Sequence, residues 1–231
     1  MSVTASGRDR EPRVSIILPV YRDAHVLGRT LSSIAVATCA TELIVSATAE
    51  DRGALAPLRA ARPDVVWIDA PRGRARQMNA GAAASRGNWL LFLHADTQLP
   101  PQWPHAIDDA ERAGAIGGCF RFALDSPHPF ARAIELGVQL RVALFRLPYG
   151  DQALFVRRAV FESLGGYTDL PIMEDVDFVR RLRVTGRLMT ASYPAVTSAR
   201  RWERDGWIYV TARHLRLILL YFAGVAPERL K

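Results

Sequence analysis

His94 and Asp96 are the residues whose types and spacing most directly suggest chemistry, and both follow a run of five apolar residues. That run, residues 89–93, is typical of a strand buried on both faces, and the change to polar residues marks its carboxyl end. Side chains two apart on a strand share a face, so His94 and Asp96 should project together while Ala95 points away. Open α/β sheets bind ligands at this edge, which makes the pair a candidate ligand site. The alternative is a strand that ends in an ordinary polar loop.

A second group combines the three carboxylates of Glu174, Asp175 and Asp177 at the predicted junction between a loop and a helix. Acids in the first turn of a helix are favoured by its dipole, which is sufficient to explain them without any function. Three acids at such a junction nevertheless provide a candidate general base.

Basic residues form two further candidates. Arg200, Arg201 and Trp202 bring guanidinium groups next to an indole, a combination that can clamp a diphosphate and stack on a sugar ring. Three arginines, at positions 72, 74 and 76, crowd the first turn of a predicted helix, where the dipole favours an anion such as phosphate. A solvated basic face is the alternative interpretation of these three arginines.

The elements that must position these residues alternate along the chain. Strands are predicted at residues 14–20, 42–46, 64–69, 89–93, 117–124 and 153–156, and helices at 24–36, 52–61, 71–87, 103–113, 127–147, 157–164, 171–185 and 207–222. The opening βαβαβ order, with short connections, indicates a parallel sheet that helices cover on both faces. The predicted fold class is therefore α/β.

Composition narrows the class of protein. The chain has 231 residues, 49% of them hydrophobic, which is enough for a substantial core, and we expect one globular domain. Its net charge is +7, but the arginines form no continuous stripe with interleaved aromatic residues, which argues against a nucleic-acid partner. Cys39 and Cys119 are too far apart in sequence to indicate a metal site or a disulfide framework.

The distribution of apolar residues bears on location. The sequence contains neither a secretory signal nor a stretch of about 18 uncharged apolar residues, so we expect a cytoplasmic protein. Peripheral membrane contact through the apolar helices at 127–147 and 207–225 is a further hypothesis, and ordinary core helices are the alternative.

The loop after the first strand argues against two classes of enzyme. A dinucleotide-binding domain would have Gly-x-Gly-x-x-Gly there, whereas this chain has Tyr21, Arg22, Asp23 and Ala24. A nucleotidyltransferase would have a glycine-rich, basic loop, which residues 21–28 do not provide. The nucleotidyltransferases stay the alternative enzyme class because they share this broad sheet architecture.

Taken in order, five sequence elements resemble glycosyltransferase family 2, whose members have the GT-A fold and transfer a sugar from a nucleotide sugar. These elements are Ser-Ile-Ile-Leu-Pro-Val-Tyr at 15–21, Asn79 with Gly81 in a helix of small residues, His-Ala-Asp at 94–96, Glu-Asp at 174–175 and Arg-Arg-Trp at 200–202. The resemblance extends from Val14 to about Trp207. Within the family, the chain resembles a small, soluble bacterial subgroup with Leu-His-Ala-Asp-Thr, here 93–97, and Gly-Asp-Gln, here 150–152. It implies a GT-A fold with a mostly parallel central sheet.

The resemblance implies roles for individual residues. Asp96 matches the last acid of the family's Asp-x-Asp motif, which binds Mg²⁺ or Mn²⁺ on the donor diphosphate. Asp175, next to Glu174, matches the catalytic base, and a single displacement with one base implies inversion at the anomeric carbon. The nucleotide-sugar site is then expected to include Pro19, Val20, Tyr21, Asp23, Arg76, Asn79, His94, Ala95, Asp96, Arg200 and Arg201. The acceptor is expected to meet Asp151, Gln152 and Trp202.

Three positions depart from the family pattern. His94 replaces the first acid of Asp-x-Asp with a neutral imidazole, and Ser198 replaces a glutamine. The second strand ends near Ala47 without the acid that reads the nucleotide base, although Glu50 or Asp51 could replace that acid from the next turn. These departures leave a catalytically impaired nucleotide-sugar-binding protein as the alternative to a metal-dependent inverting glycosyltransferase.

The residue patterns and the resemblance together predict a division of the chain. Residues 1–12 are expected to form a disordered lead, 13–207 a single GT-A catalytic domain and 208–231 a C-terminal helix. Within the catalytic domain, 13–100 would bind the nucleotide sugar and 101–207 the acceptor. The sequence leaves the acceptor and the oligomeric state open, and membrane contact would suit a lipophilic acceptor.

Overall fold

A computed structural model describes residues 12–34 and 40–230 of the chain. Its first half consists of β1 (Val14–Val20), α1 (Ala24–Ser33), β2 (Thr41–Ala47), α2 (Arg52–Ala61), β3 (Val65–Asp69), α3 (Arg74–Ala84) and β4 (Trp89–Phe92). β1 pairs in parallel with both β2 and β4, and β2 pairs in parallel with β3. The predicted order of elements and their parallel pairing are confirmed. The predicted lead up to residue 11, the end of the first predicted helix at 35–36 and Cys39 lie outside the described residues.

The second half contains fewer parallel pairs. Its elements are β5 (Thr97–Gln98), α4 (Trp103–Arg112), β6 (Gly117–Leu124), α5 (Pro129–Phe145), β7 (Phe155–Arg157), α6 (Arg158–Ser163), α7 (Glu174–Leu182), β8 (Leu188–Thr197), α8 (Arg200–Asp205) and α9 (Trp207–Phe222). The strands form one sheet of order β3-β2-β1-β4-β7-β6-β8-β5. β7 is antiparallel to β4 and β6, whereas β8 is parallel to β6 and antiparallel to β5. The result is the mixed, mostly parallel sheet that was predicted.

β1 lies near the middle of the sheet and separates two cores. Its alternate residues Val14, Ile16, Leu18 and Val20 belong to a cluster that also contains buried residues of α1 and α4. Ile17 faces the other way and packs with Ala75, Met78 and Ala82 of α3. Successive side chains on a strand point to opposite faces, so this strand, which is apolar apart from the buried Ser15, fills both cores at once.

The helix of small residues, α3, lies unusually close to the sheet. A Cβ added at Gly81 would collide with Ile17 Cγ2 and would lie 3.0 Å from Ser46 Oγ. The absence of a side chain at this position therefore permits the contact between α3 and strands β1 and β2. The helix begins at Arg74 rather than at residue 71, because Gly73 has a φ of 135° that does not continue a helix.

Strands β5 and β8 were not predicted from the sequence. β8 contains Pro194, which argues against a strand in the interior of a sheet because proline lacks the N–H that a ladder needs. The structure accommodates it at an irregularity, since the register between β6 and β8 shifts between Cys119 and Arg121, and Arg121 pairs with Pro194.

The lengths and composition of the helices also bear on the membrane hypothesis. Among the helices of the described ranges, none is both long and apolar enough to cross a bilayer.

Candidate active site

The polar turn after β4 lies at the carboxyl end of the parallel strands. A hydrogen bond from Thr97 N–H to the His94 carbonyl closes the turn at 3.1 Å. Ala95 is buried and its carbonyl accepts a hydrogen bond from Thr30 Oγ1 at 2.6 Å, whereas His94 and Asp96 stay partly exposed. The predicted alternation of side chains therefore continues past Phe92, where the strand itself ends.

Arg200 connects this turn to the loop after β1. Its Nη2 lies 2.5 Å from Asp23 Oδ1 and 3.3 Å from Asp96 Oδ2, and its Nη1 lies 2.9 Å from His25 Nε2. Burial raises the pKa of Asp96 and outweighs the attraction of Arg200, and the charge of Asp23 acts in the same direction as burial. Two carboxylates thus share one guanidinium group, an arrangement that favours a further cation nearby.

Asp175 has both carboxylate oxygens fixed by backbone donors. Gly150 N–H donates to its Oδ2 at 2.7 Å, and Val176 N–H donates to its Oδ1 at 2.8 Å. A Cβ at Gly150 would lie 3.2 Å from that same Oδ2 and 3.0 Å from His94 Nε2. The bare backbone of Gly150 therefore brings the candidate base of α7 next to the histidine that follows β4.

Glu174, the neighbouring acid, is committed to an ion pair. It is only 2% exposed, and its Oε1 accepts a hydrogen bond from Arg74 Nη1 at 2.9 Å. Burial opposes the charge of Arg74, but the carboxylates of Glu174 and Asp175 outweigh it and raise the pKa of Arg74. Burial raises the pKa of Glu174, with Arg74 acting against it. This pair joins the start of α3 to the start of α7.

His94 differs in charge from the acid that it replaces. Burial, together with the positive charges of Arg74 and Arg201, lowers the pKa of His94 to about 3. The imidazole is therefore neutral at physiological pH, as predicted from its residue type. A neutral ring can donate one hydrogen bond and accept another without adding charge to the site.

Asp151 provides a third acid close to Asp175. One of its carboxylate oxygens, Oδ1, is buried and has no hydrogen-bond partner among the described residues. Burial raises the pKa of Asp151 to about 6, the charge of Asp175 acts in the same direction, and Arg141 acts against both. Asp151 is thus a carboxyl group with an unused acceptor atom inside the candidate site.

The loop after β1, expected to hold the nucleoside, is fixed by a buried amide. Gln77 Nε2 donates to the Val20 carbonyl at 2.6 Å and to the Ser46 carbonyl at 2.9 Å. The guanidinium carbon of Arg72 lies 4.5 Å from the centroid of the Tyr21 ring. Helix α3 therefore supports this loop through a polar contact, and Arg72, which precedes α3, adds a cation–π contact.

The two acids considered as substitutes for the one missing at Ala47 have different environments. Asp51 is buried and accepts hydrogen bonds from Arg22 N–H at 2.8 Å and from Thr48 Oγ1 at 2.7 Å. Glu50 remains at the surface, with its Oε2 3.5 Å from Arg22 Nη2. Asp51 therefore fixes the loop after β1, and Glu50 is the acid that solvent reaches.

Three of the expected site residues make internal contacts. Gln152 is 1% exposed, and its Nε2 donates to the Phe120 carbonyl at 3.2 Å. The amide of Asn79 exchanges two hydrogen bonds with the backbone of Tyr167, at 2.8 and 2.9 Å. Trp202 is largely buried in a cluster between α5 and α9. In this structure these side chains hold elements together and do not face the open site.

Arg76 and Arg201 are exposed to solvent at the edge of the candidate site. Arg76 Nη2 forms an ion pair with Asp169 at 2.7 Å. It borders an open cavity of about 460 Å³ lined by Arg72, Gly73, Arg76, Asp169, Leu170 and Pro171. Arg201 is exposed, and its positive charge reaches both His94 and Asp96.

Comparison with known proteins identifies the family. A family model described as glycosyl transferase family 2 matches residues 15–162, which is more than half of the chain. The chain belongs to glycosyl transferase family 2. The resemblance stated from the sequence is thereby confirmed. The matched range includes the turn with Asp96 and ends before Asp175, so the family match by itself does not cover the candidate base.

Curated relatives of this family 2 glycosyltransferase carry related names. A PGL/p-HBAD biosynthesis glycosyltransferase of Mycobacterium tuberculosis (strain ATCC 25618 / H37Rv) is 30% identical over 183 residues, 72% of this chain and 68% of the relative. Succinoglycan biosynthesis protein ExoO of Rhizobium meliloti (strain 1021) is 30% identical over 112 residues, 46% of this chain and 32% of that protein.

Solved structures show the same fold. The mannosyltransferase PcManGT from Pyrobaculum calidifontis, in complex with GDP-Man and Mn²⁺, has a TM-score of 0.69 at 19% identity, covering 95% of this chain and 67% of its own. S. aureus TarS in complex with UDP-GlcNAc has a TM-score of 0.62 at 14% identity, and the family 2 chain spans 58% of its length. The predicted GT-A fold is confirmed.

Sequence reasoning did not select two residues that shape the site of this glycosyltransferase. Arg74 was noted only as one of three basic residues, because its partner Glu174 lies 100 positions away. Gly150 was noted only as part of a motif, although its N–H binds Asp175 and its missing side chain admits His94. In both cases the residue was visible, but its partner is fixed by tertiary packing.

Proposed function

We propose that this glycosyltransferase moves a sugar from a nucleotide-diphosphate sugar to an acceptor hydroxyl with inversion, with Asp175 as the general base. The geometry of Asp175 carries the proposal. Two backbone N–H groups orient its carboxylate, and each oxygen keeps a further lone pair with which it can accept a proton. A base positioned in this way can take the proton of the acceptor hydroxyl as that oxygen attacks the anomeric carbon.

The donor class is supported by neighbours of the same fold. PcManGT is described in complex with GDP-Man and TarS in complex with UDP-GlcNAc, so two related folds bind nucleotide-diphosphate sugars. In this chain, the guanidinium groups of Arg74, Arg200 and Arg201 surround the turn at 94–96. They would hold the diphosphate by charge-assisted hydrogen bonds.

Mg²⁺ or Mn²⁺ is the cofactor that we propose, with Asp96 as its ligand from the protein. The donor set fits a hard cation, because Asp96 offers carboxylate oxygens and shares Arg200 with the second carboxylate of Asp23. Within the described ranges no group of three His, Cys, Asp or Glu side chains is arranged to hold a metal ion, so donor phosphates would supply the remaining ligands. When bound, the cation offsets negative charge on the departing nucleoside diphosphate.

The residues of the acceptor side would orient the nucleophile. Asp151 lies close to Asp175 and has an oxygen that no described residue occupies, which could accept a hydrogen bond from the acceptor. Glu174 would act through Arg74, which it holds beside the site. In this proposal, residues 13–100 form most of the donor site, as the resemblance implies. Residues 101–207 provide the base and the acceptor contacts, and within them Arg200 and Arg201 also reach the donor diphosphate.

The test is a transfer and hydrolysis screen of UDP-, GDP- and dTDP-sugars with Mn²⁺, followed by two variants. Asp175→Asn should lower kcat by about 10²- to 10⁴-fold, since a positioned general base contributes that much. Its affinity for the nucleotide, measured by calorimetry, should remain unchanged. Asp96→Asn should instead weaken nucleotide binding in Mn²⁺ and remove its dependence on the metal.

Asp109→Asn, on the outer side of α4, is the matched control and should behave as the unchanged protein. Full transfer by Asp175→Asn would exclude it as the base. Nucleotide binding without turnover of any donor would instead favour the catalytically impaired binding protein.

A further inference from the structure

Two helices of the second half expose apolar residues along their outer faces. Of the twelve large apolar side chains that are exposed among the described residues, ten lie on α5 and α9. On α5 they are Phe130, Leu136, Leu140, Leu144 and Phe145, and on α9 they are Ile208, Tyr209, Leu215, Leu219 and Phe222. Positions 136, 140 and 144, and positions 208, 215, 219 and 222, repeat at the helical period, so each helix carries an outward apolar stripe.

The inner faces of these helices are already occupied. Ile134 and Val138 of α5 pack with Trp207 and Val210 of α9 in one cluster, and the His128 ring stacks on Trp207 at 4.7 Å. Both helices therefore contribute to one buried cluster toward their N-terminal ends, and their exposed stripes lie on the sides away from it. We call the two stripes together the apolar face.

The exposed charges on the two helices themselves have one sign. α9 contains Arg213 and Arg216, both exposed, and no acidic residue. The one acid of α5, Glu135, is buried and bonded to the Leu124 N–H at 2.8 Å. Exposed guanidinium groups beside exposed leucines, with no exposed carboxylate on either helix, match an anionic surface that has an apolar interior.

We propose that the apolar face docks the protein on anionic phospholipid membranes, with α5 and α9 lying along the interface. Each helix is about 25 Å long, which suits a helix that lies in the plane of the interface and inserts its apolar side chains below the headgroups. A second copy of the chain is a poorer occupant, because each copy brings the same arginines and a net charge of +7.

The position of the apolar face relates docking to the site. Leu217, Ile218 and Tyr221, on the inner side of α9, pack against Met173 and Val176, which flank the acids at the start of α7. Docking would therefore bring the acceptor side close to lipid headgroups. That consequence rests on the proposed function, whereas the docking itself does not and can be measured without turnover.

The experiment is flotation of the full chain with two kinds of vesicle. One is phosphatidylcholine alone, and the other contains about 30% phosphatidylglycerol as the anionic lipid. The protein should float with the anionic vesicles only, and less so at high salt. Changing Leu215 and Leu219 together to glutamate should lower the bound fraction about tenfold or more, since it places charge in the stripe. Arg213→Gln with Arg216→Gln should weaken binding to anionic vesicles selectively.

Val66→Glu is the matched control, because Val66 is 41% exposed but lies on β3 at the opposite edge of the sheet. This variant should bind vesicles as the unchanged protein does. All variants are first compared by thermal unfolding, so that only folded proteins enter the assay. Failure to float with anionic vesicles would overturn the proposal. So would equal binding by the glutamate variant, or a dimer in analytical ultracentrifugation that the same glutamates dissociate.

Discussion

Asp151 and Asp175 are neighbouring acids whose surroundings differ. Both oxygens of Asp175 accept hydrogen bonds from backbone N–H groups, whereas Oδ1 of Asp151 is buried and finds no partner in the part of the chain that the structure describes. Burial raises the pKa of Asp151 to about 6, and the charge of Asp175 adds to that effect. Ionised Asp151 is therefore a destabilising group in the folded protein, retained at a position where an acceptor could satisfy it.

Replacing Asp151 should change the dependence of stability on pH. The pKa of Asp151 is higher in the folded chain, at about 6, than the 3.8 of an ordinary aspartate, so the unfolded chain loses its proton first. Stability from this group is complete below that lower value and is lost as the pH rises to about 6. Asp151→Asn should remove that loss and raise the free energy of unfolding at pH 7 by about 1–3 kcal/mol.

The measurement is the free energy of unfolding by chemical denaturation, taken from about pH 4 to about pH 8 in steps of about half a pH unit. Glu228→Gln, an exposed acid near the C-terminus, is the control and should leave the pH profile unchanged. Identical slopes for Asp151→Asn and the unchanged chain would contradict the assignment.

For individual residues, the sequence could predict which side chains have the chemistry that a site needs. It could not predict which partners each side chain contacts in the folded protein. Asp96 and Asp175 were selected from residue type, motif and position, and both lie partly exposed at the site. Gln152 and Asn79 were selected in the same way, yet their amides bond to internal carbonyls and backbone groups. The difference depends on partners tens of residues away, which local patterns do not contain.

The contact between α3 and the central strands shows how one element depends on a missing side chain. Gly81→Ala should lower the free energy of unfolding by about 1–3 kcal/mol, because the new methyl group would meet Ile17 and Ser46 in a packed core. Gly53→Ala, in α2, has no atom within 4 Å of the new Cβ and is the matched control. It should be neutral or stabilise by up to about 1 kcal/mol.

Urea denaturation of both variants gives the comparison directly. Both substitutions add the same methyl group to a helix. A loss of stability in Gly81→Ala alone would therefore come from the contact of that helix with the sheet. Equal stability of the two alanine variants would show that α3 can move away from the sheet without cost.

The bounds of helices and strands were predicted most accurately where a single hydrophobic pattern extends over the whole element. The bounds of β1, α2 and α9 agree with the predicted ones, because a mostly apolar, β-branched run or an amphipathic period defines them. β8 escaped prediction because Pro194 and several polar residues break its pattern, and its pairing with β6 joins residues about 70 positions apart, such as Gly117 and Leu188. Such pairing depends on the whole sheet.

At the scale of the molecule, the described residues other than glycine that adopt left-handed backbone conformations lie mostly in the loops of the candidate site. The described residues other than glycine with positive φ are Arg22, Arg146, Ala153 and Met173. Arg22 follows Tyr21 in the loop after β1, Ala153 ends the turn that carries Asp151, and Met173 precedes Glu174. Such residues cost about 1–3 kcal/mol each and persist where surrounding contacts impose them.

Arg146 is the exception, because it ends α5 and is not next to a residue of the candidate site. Its φ of 52° and its exposed side chain match the position after a helix where glycine is preferred. Arg146→Gly should therefore raise the free energy of unfolding by about 0.5–1 kcal/mol. Transfer activity should not change. Thermal unfolding and a donor assay measure the two quantities, and a less stable variant would contradict the expectation.

The placement of the other three left-handed residues matters for engineering of heat tolerance. A screen that selects variants only for thermal stability will favour any substitution that removes the strain of a left-handed residue. At Arg146 we expect such a substitution to raise stability without changing transfer activity. At Ala153 and Met173 the relaxed loops are those that carry Asp151 and Glu174, so we expect hardier variants changed there to be slower enzymes. Screening of this chain should therefore score turnover and thermal resistance together from the first round.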